Sequence, residues 1–269
     1  MPTTDPLDVA ELERLLGPAT MWRPIHWKAS TGSTNDDLAA MARGGQSSGT
    51  VLFSEHQGSG KARFDRVWRD TPGTSLATSV LVSPRPVPLA WGWLSLLVGI
   101  AVREGVERYT QAESGRLTLK WPNDVLLDGH KICGILSERV GDRAVLGFGL
   151  NVSMATDELP VPTATSLMLA GLPHDKAPLM AEVLTSLERW FGLWQQRGEI
   201  RDEFLGECAT IGRRVRVHLD VEQDSEAPGR GADVTTGVAV GVDEHGALIV
   251  DGDDGLRRVL AAGDVVHLR

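Results

Sequence analysis

Read for hydrophobic and polar spacing, the chain begins with one short amphipathic stretch at 8–16, stopped by Gly17-Pro18, which predicts a helix. Short runs rich in Val, Leu, Ile and Thr then follow at 50–55, 75–82, 117–120, 131–140 and 143–151, each bounded by Gly, Pro or Asp, and they predict strands. Two longer segments interleave with apolar residues at helical spacing. One runs from about 89 to 109 with Trp93, Leu96, Leu97 and Ile100 on one face; the other runs from about 178 to 196 with Val183, Leu187, Trp190, Phe191 and Trp194. These stripes are core, and no chemistry is assigned to them. The economical arrangement is a mixed or antiparallel sheet covered by helices on one face, an α+β class.

Near Thr210 the pattern changes. The stretch 213–219 alternates polar and apolar, and short strands are predicted at 237–242, 247–250, 257–260 and 265–268, separated by Asp- and Gly-rich turns. Evenly spaced short strands make a small β-barrel or sandwich. The predicted division is therefore a unit at 1–209 and a β-rich unit at 210–269, with a polar, Gly- and Pro-bearing, mobile stretch at 222–233.

Composition narrows the function. The 269 residues are 42% hydrophobic and 23% charged, ordinary globular values, with a net charge of −9 that argues against a duplex-DNA binder. Cys133 and Cys208 form no CxxC pair, so neither a disulfide framework nor a zinc site is expected, and a reducing cytoplasm fits. The polar, acidic N-terminus shows no signal-peptide pattern, and no apolar run is long enough to span a membrane.

Four segments carry candidate chemistry. Lys120-Trp121-Pro122-Asn123-Asp124 leads into a hairpin: Val125-Leu126-Leu127, the turn pair Asp128-Gly129, then a strand beginning with Lys131. That geometry brings one fixed ammonium to an Asn/Asp pair, suited to an anion and a water-held Mg²⁺. Gly32-Ser33-Thr34-Asn35 precedes an amphipathic run and reads as a helix N-cap that also offers hydroxyl and amide groups. The stretch from Ser54 to Trp68 holds Gly58, Gly60, Lys61, Arg63 and Arg66, an anion cradle in a basic loop. It fails as a Walker A loop, because Glu55 stands where the first Gly belongs and Ala62 where Ser or Thr holds the metal. Gly147 and Gly149, before Asn151, mark close backbone approach inside a strand, to a ligand or to another element.

Jointly, these segments resemble the biotin protein ligase family. The matching set is Gly-Ser-Thr-Asn at 32–35, Glu55-x-Gln57 with the basic loop ending at Trp68, Lys120-Trp-Pro-Asn-Asp124, Lys131-x-x-Gly-Ile135-x-x-Glu138, and Gly147-x-Gly-x-Asn151, over roughly residues 28–152. The resemblance implies a class II synthetase-like catalytic domain, with the C-terminal β unit as an SH3-like barrel. It implies a two-step ligase: biotin and ATP form biotinyl-5′-AMP, and biotin then passes to one lysine of a carrier domain, with the biotin carboxyl carrier domain of acyl-CoA carboxylases as partner. Ser33, Thr34, Asn35 and Gln57 match positions for the biotin ureido head. Gly60, Lys61, Ala62 and Arg63 match the Gly-Arg-Gly-Arg core that folds over the ligands. Lys131 matches the lysine between the biotin carboxylate and the α-phosphate, with Gly134, Gly149 and Asn151 lining the same pocket. Trp68 and Arg66 fall on the ATP side, Asn123 and Asp124 face ATP and Mg²⁺, and Asp124 also assists deprotonation of the incoming lysine. About 30 residues precede the first matching segment, which implies a ligase without a DNA-binding repressor domain. The alternatives are a lipoate or octanoate ligase or transferase of the same architecture, and a weakly active biotin-binding regulator.

The loop departs from the family. Ala62 replaces the second Gly, Phe64 a frequent Arg, Asp65 another Gly, and Lys61 keeps charge without the guanidinium fork. An alanine in the left-handed region costs about 1 kcal/mol or more, so a loop that seals the intermediate less tightly is expected.

Overall fold

The computed structural model describes residues 5–64, 66–85, 88–219 and 234–268. In chain order its elements are α1 (Val9–Leu16), β1 (Ile25–Lys28), α2 (Thr34–Arg43), β2 (Val51–Ser54), β3 (Gly60–Lys61), β4 (Val67–Trp68), β5 (Ser75–Val82), α3 (Trp93–Thr110), β6 (Leu117–Lys120), β7 (Asp124–Leu127), β8 (His130–Val140), β9 (Arg143–Asn151), α4 (Lys176–Arg197), α5 (Arg201–Glu207), β10 (Arg214–His218), β11 (Val234–Val242), β12 (Leu248–Gly252), β13 (Arg257–Leu260) and β14 (Asp264–His267). The predicted mobile stretch 222–233 and the substitution at Asp65 lie outside the described residues.

Seven strands form a mixed sheet in the order β1-β2-β5-β9-β8-β7-β6. The β1–β2 pair is parallel and every other pair antiparallel. The β7–β8 turn needs positive φ at both central residues, which Asp128 (51°) and Gly129 (78°) supply. The second sheet is five-stranded and antiparallel, ordered β13-β12-β11-β10-β14.

Helices cover both faces of the seven-stranded sheet, which corrects the expectation of one covered face. Residues of β2, β5 and β9 are buried at successive positions, so each strand is covered on both sides. Val51, Phe53, Val80, Val82 and Leu146 join the main core with α3 and α4. Leu52, Leu81 and Val145 pack instead under Leu38, Ala39 and Ala42 of α2.

The helix expected from residue 89 starts at Trp93, after a 3-10 turn over Pro88–Gly92. A Cβ on Gly92 would lie 2.3 Å from the His245 carbonyl oxygen, so this turn is one place where the C-terminal unit touches the larger one. Gly105 serves α3 the same way, since its missing Cβ would meet the Val183 backbone at 2.5 Å and only glycine lets α3 and α4 approach so closely. Besides the two-residue strands β3 and β4 inside the basic loop, two elements escaped the sequence reading. The segment β1 (Ile-His-Trp-Lys) is a four-residue edge strand without clean alternation, and α5 spans only seven residues.

Candidate active site

The cleft lies where the start of α2, the basic loop and the β8–β9 pair converge. Ser33 caps α2, its hydroxyl accepting from the Asp36 N–H. That cap leaves Thr34 and Asn35 buried, facing the sheet. Gln57 Oε1 accepts from the Thr34 N–H at 2.8 Å and from its hydroxyl at 3.1 Å. The Asn35 amide donates to Leu136 O (3.1 Å) and Glu138 Oε2 (2.6 Å), while its Oδ1 lies 2.6 Å from Ser79 Oγ. Every polar atom of the Asn35 side chain is thus engaged, and its orientation is set before any ligand arrives.

The glycines of the β9 motif now have a physical reason. A Cβ on Gly147 would stand 2.0 Å from Asn35 Oδ1, and one on Gly149 2.6 Å from the Trp68 ring. A Cβ on Gly134 would meet the same ring at 2.9 Å and Lys131 Nζ at 3.1 Å. The close approach expected from glycine in a strand is therefore to Asn35 and Trp68. The Trp68 indole lies across the floor formed by Gly134 and Gly149, its N–H is buried without a hydrogen-bond partner among the described residues, and only about 40 Å³ remains open in the cleft.

Lys131 reaches this face because β8 is irregular. Its pairing with β7 slips between Val125 and Leu126, so Lys131 and Gly134, which regular alternation would place on opposite faces, both line the cleft. Lys131 is further tied by backbone bonds to Thr163 and Thr165. Its ammonium pairs with Asp124 at 2.5 Å and stands 5.9 Å from the centre of the Trp68 ring. Asn123 lines the cleft and ties back to β8 through mutual bonds with Ile135.

The basic loop is a small hairpin: Gly60 and Lys61 pair with Trp68 and Val67, and the Ala62 N–H donates to Arg66 O. Lys61 and Ala62 line the cleft, and Lys61 is ion-paired with Asp36 of α2. Arg63 does not join them. It faces a neighbouring cavity of about 420 Å³, walled by Trp91, Leu96, Trp121 and the 243–247 turn, and it donates to Gly263 O at 3.0 Å and Asn123 Oδ1 at 3.5 Å. Burial lowers the Arg63 guanidinium pKa, opposed by the charges of Asp264 and Asp124. Asn123 lines both cavities, so the two adjoin. Arg66 is exposed and paired with Asp264. Gly60 sits behind Trp68, Asp124 reaches the cleft only through Lys131, and Asn151 turns its amide to Thr165 O. The expected cluster is thus Ser33, Thr34, Asn35, Gln57, Lys61, Ala62, Trp68, Asn123, Lys131, Gly134 and Gly149, with Gly60, Arg63, Arg66, Asp124 and Asn151 around it.

The strain expected at Ala62 is absent. Ala62 has no positive φ; Phe64 does, at 57°. Its ring is flanked by the Arg63 and Arg66 guanidiniums at 4.8 and 5.8 Å.

Three contributors carry no residue role in the sequence reading. Gly147 and Glu138 had a signal, the glycine inside a strand and the motif that includes the glutamate; Ser79 had none, being one small residue inside an apolar strand. Among the described residues no group of three or more His, Cys, Asp or Glu side chains could hold a metal ion, and no helix is long and apolar enough to cross a membrane.

Comparison with known proteins agrees with this geometry. Residues 27–154 match the model described as "Biotin/lipoate A/B protein ligase family", and residues 227–268 match the "Biotin protein ligase C terminal domain". The chain is 40% identical to the biotin--[acetyl-CoA-carboxylase] ligase of Mycobacterium tuberculosis over 98% of this chain and 97% of the relative. It is 30% identical to the ligase of the same name from Paracoccus denitrificans, over 88% of this chain and 98% of that one. The fold matches the biotin protein ligase of Aquifex aeolicus in complex with biotin and ATP, with a TM-score of 0.72 at 24% identity, covering 92% of this chain and 99% of that one. With a relative this similar along nearly its whole length, the chain belongs to the biotin protein ligase family.

Proposed function

We propose that this protein activates biotin with ATP and transfers it to a lysine of the carrier domain of an acyl-CoA carboxylase. The observation that carries the reading is the pairing, in one narrow cleft, of an uncharged hydroxyl and amide cluster with the fixed ammonium of Lys131. The Gln57 amide N–H groups and the second lone pairs of Thr34 Oγ1 and Asn35 Oδ1 suit a neutral ureido ring, and Lys131 offers the charge suited to a carboxylate and a phosphate.

In the first step a biotin carboxylate oxygen attacks the α-phosphorus of ATP and pyrophosphate leaves, giving biotinyl-5′-AMP. Two anions must meet, and Lys131 lowers that repulsion. Lys61, Ala62 and Trp68 close over the product, because an acyl-adenylate is lost to water. Arg63, Arg66 and Asn123 stand on the nucleotide side. In the second step the neutral carrier amine attacks the acyl carbon, AMP leaves, and Asp124 takes the proton. Mg²⁺ is commonly held by one or two carboxylates and substrate phosphates; Asp124, whose Oδ1 is paired with Lys131, has its second oxygen left to hold such an ion, which would neutralise phosphate charge. We place the catalytic unit at 1–209 and the C-terminal unit at 210–269, and the protein in the cytoplasm, acting without nucleic acid. Two free, buried cysteines are consistent with that setting.

Exchange of labelled pyrophosphate into ATP tests the reading. Exchange is expected with biotin and not with lipoate or octanoate; the reverse preference would refute it.

A further inference from the structure

The chain leaves the sheet at the end of β2 and rejoins it at the start of β5, and between them a single carboxylate, Asp70, joins the two flanks of the basic hairpin. The Asp70 side chain is fully buried, with Oδ1 2.6 Å from His56 Nδ1. The Gln57 N–H points at the same carboxylate, 3.4 Å from Oδ1 and 3.3 Å from Oδ2. Burying a carboxylate is unfavourable, and desolvation does push the Asp70 pKa up against the opposing pull of His56 and the Gln57 N–H.

What the contact holds is the cleft itself. Gln57 is clasped twice, through its backbone by Asp70 and through its side chain by Thr34. Two residues before Asp70, Trp68 pairs with Gly60 and lays its ring over Gly134 and Gly149. The amide wall and the indole wall of the cleft are therefore both tied to Asp70 within two bonded neighbours or one hydrogen bond. His56 is held on its other side, its carbonyl accepting from the Thr31 N–H at 3.0 Å and from Ser54 Oγ at 2.8 Å.

We propose that Asp70, with His56, is a positioning residue for biotin binding: it pins the roots of the basic loop together so that Gln57 and Trp68 keep their places around the ureido-bearing substrate. The inference rests on the function proposed above. Asp70→Ala is expected to raise the biotin KM about tenfold, the size of one lost hydrogen bond to a charged group, with kcat and the ATP KM changed far less. Asp70→Asn, which keeps an acceptor for the Gln57 N–H, is expected to recover part of that loss. Trypsin should cut after Arg63, Arg66 or Arg69 faster in Asp70→Ala than in wild type. His56→Ala, at a partly exposed side chain, is expected to give the same pattern more weakly and serves if Asp70→Ala does not fold. Unchanged biotin KM and unchanged cleavage in these variants would overturn the proposal, and so would equal rises in both KM values that Asp70→Asn does not relieve. The cleavage readout needs no activity, so a wild-type protein without biotin-dependent exchange would refute the function while leaving the clasp to be judged by proteolysis.

Discussion

At the scale of single residues, the cleft depends on atoms that are missing as much as on those present. Gly147→Ala would drive a methyl group into Asn35 Oδ1, and the side chain that must yield is bonded to Leu136, Glu138 and Ser79. Unmaking part of that buried set costs about 1–3 kcal/mol, so the biotin KM is expected to rise tenfold or more, measurable by titration calorimetry as a weaker Kd. Lys131 differs in kind, because it is a partly exposed charge whose removal opens no core cavity. Lys131→Ala is expected to abolish biotin-dependent pyrophosphate exchange while the thermal midpoint stays near wild type. Exchange at the wild-type rate would remove Lys131 from the mechanism.

At the scale of elements, the basic hairpin is held at three points: its root at Asp70, Lys61 on Asp36 of α2, and its tip on Gly263 and Asp264 of the C-terminal sheet. Phe64, in the left-handed region at the tip, is strained by about 1 kcal/mol or more and offset by two flanking guanidiniums, the exposed Arg66 worth about 0.5–1 kcal/mol and the half-buried Arg63 at least as much. Phe64→Leu keeps the strain and loses the ring. Its expected effect is a two- to fivefold faster escape of biotinyl-AMP into solution, about 0.5–1 kcal/mol, followed by trapping the released adenylate.

At the scale of the whole molecule, the two units meet through tryptophans. Trp93 Nε1 donates to Glu244 O at 2.8 Å and Trp121 Nε1 to Gly246 O at 3.0 Å. The Trp121 N–H donates to Thr210 Oγ1, which lies 3.0 Å from His267 Nε2. The hydroxyl proton is then free to be given to a neutral imidazole. Burial first, then the charges of Lys120 and Arg213, push the His267 pKa down to about 4. With the folded value below the ordinary 6.5, the unfolded chain binds the proton more tightly. The stability this group protects is therefore complete above about pH 6.5 and is lost as pH falls toward 4. Thermal melts across that range are expected to show a falling midpoint, with a shallower fall in His267→Gln.

Much of this molecule was readable from local pattern. Strands at Ser75–Val82, Leu117–Lys120, Arg143–Asn151 and Arg257–Leu260, the Asp128-Gly129 turn and the capped start of α2 follow from spacing and turn chemistry acting over a few neighbours. The joint order of the Ser-Thr-Asn, basic-loop and Lys-Trp-Pro-Asn-Asp segments carried the family. Distant contacts decided the rest. Whether Gly147 and Gly149 admit a ligand or a side chain depends on Asn35 and Trp68, more than 80 residues away in the chain. The side of the cleft on which Arg63 falls depends on a carbonyl at Gly263. Asp70 is one acid after a charged loop until folding buries it against His56 and Gln57. Pattern encodes what neighbours enforce, whereas burial, close approach and the pairing of charges exist only once separate segments share the same space.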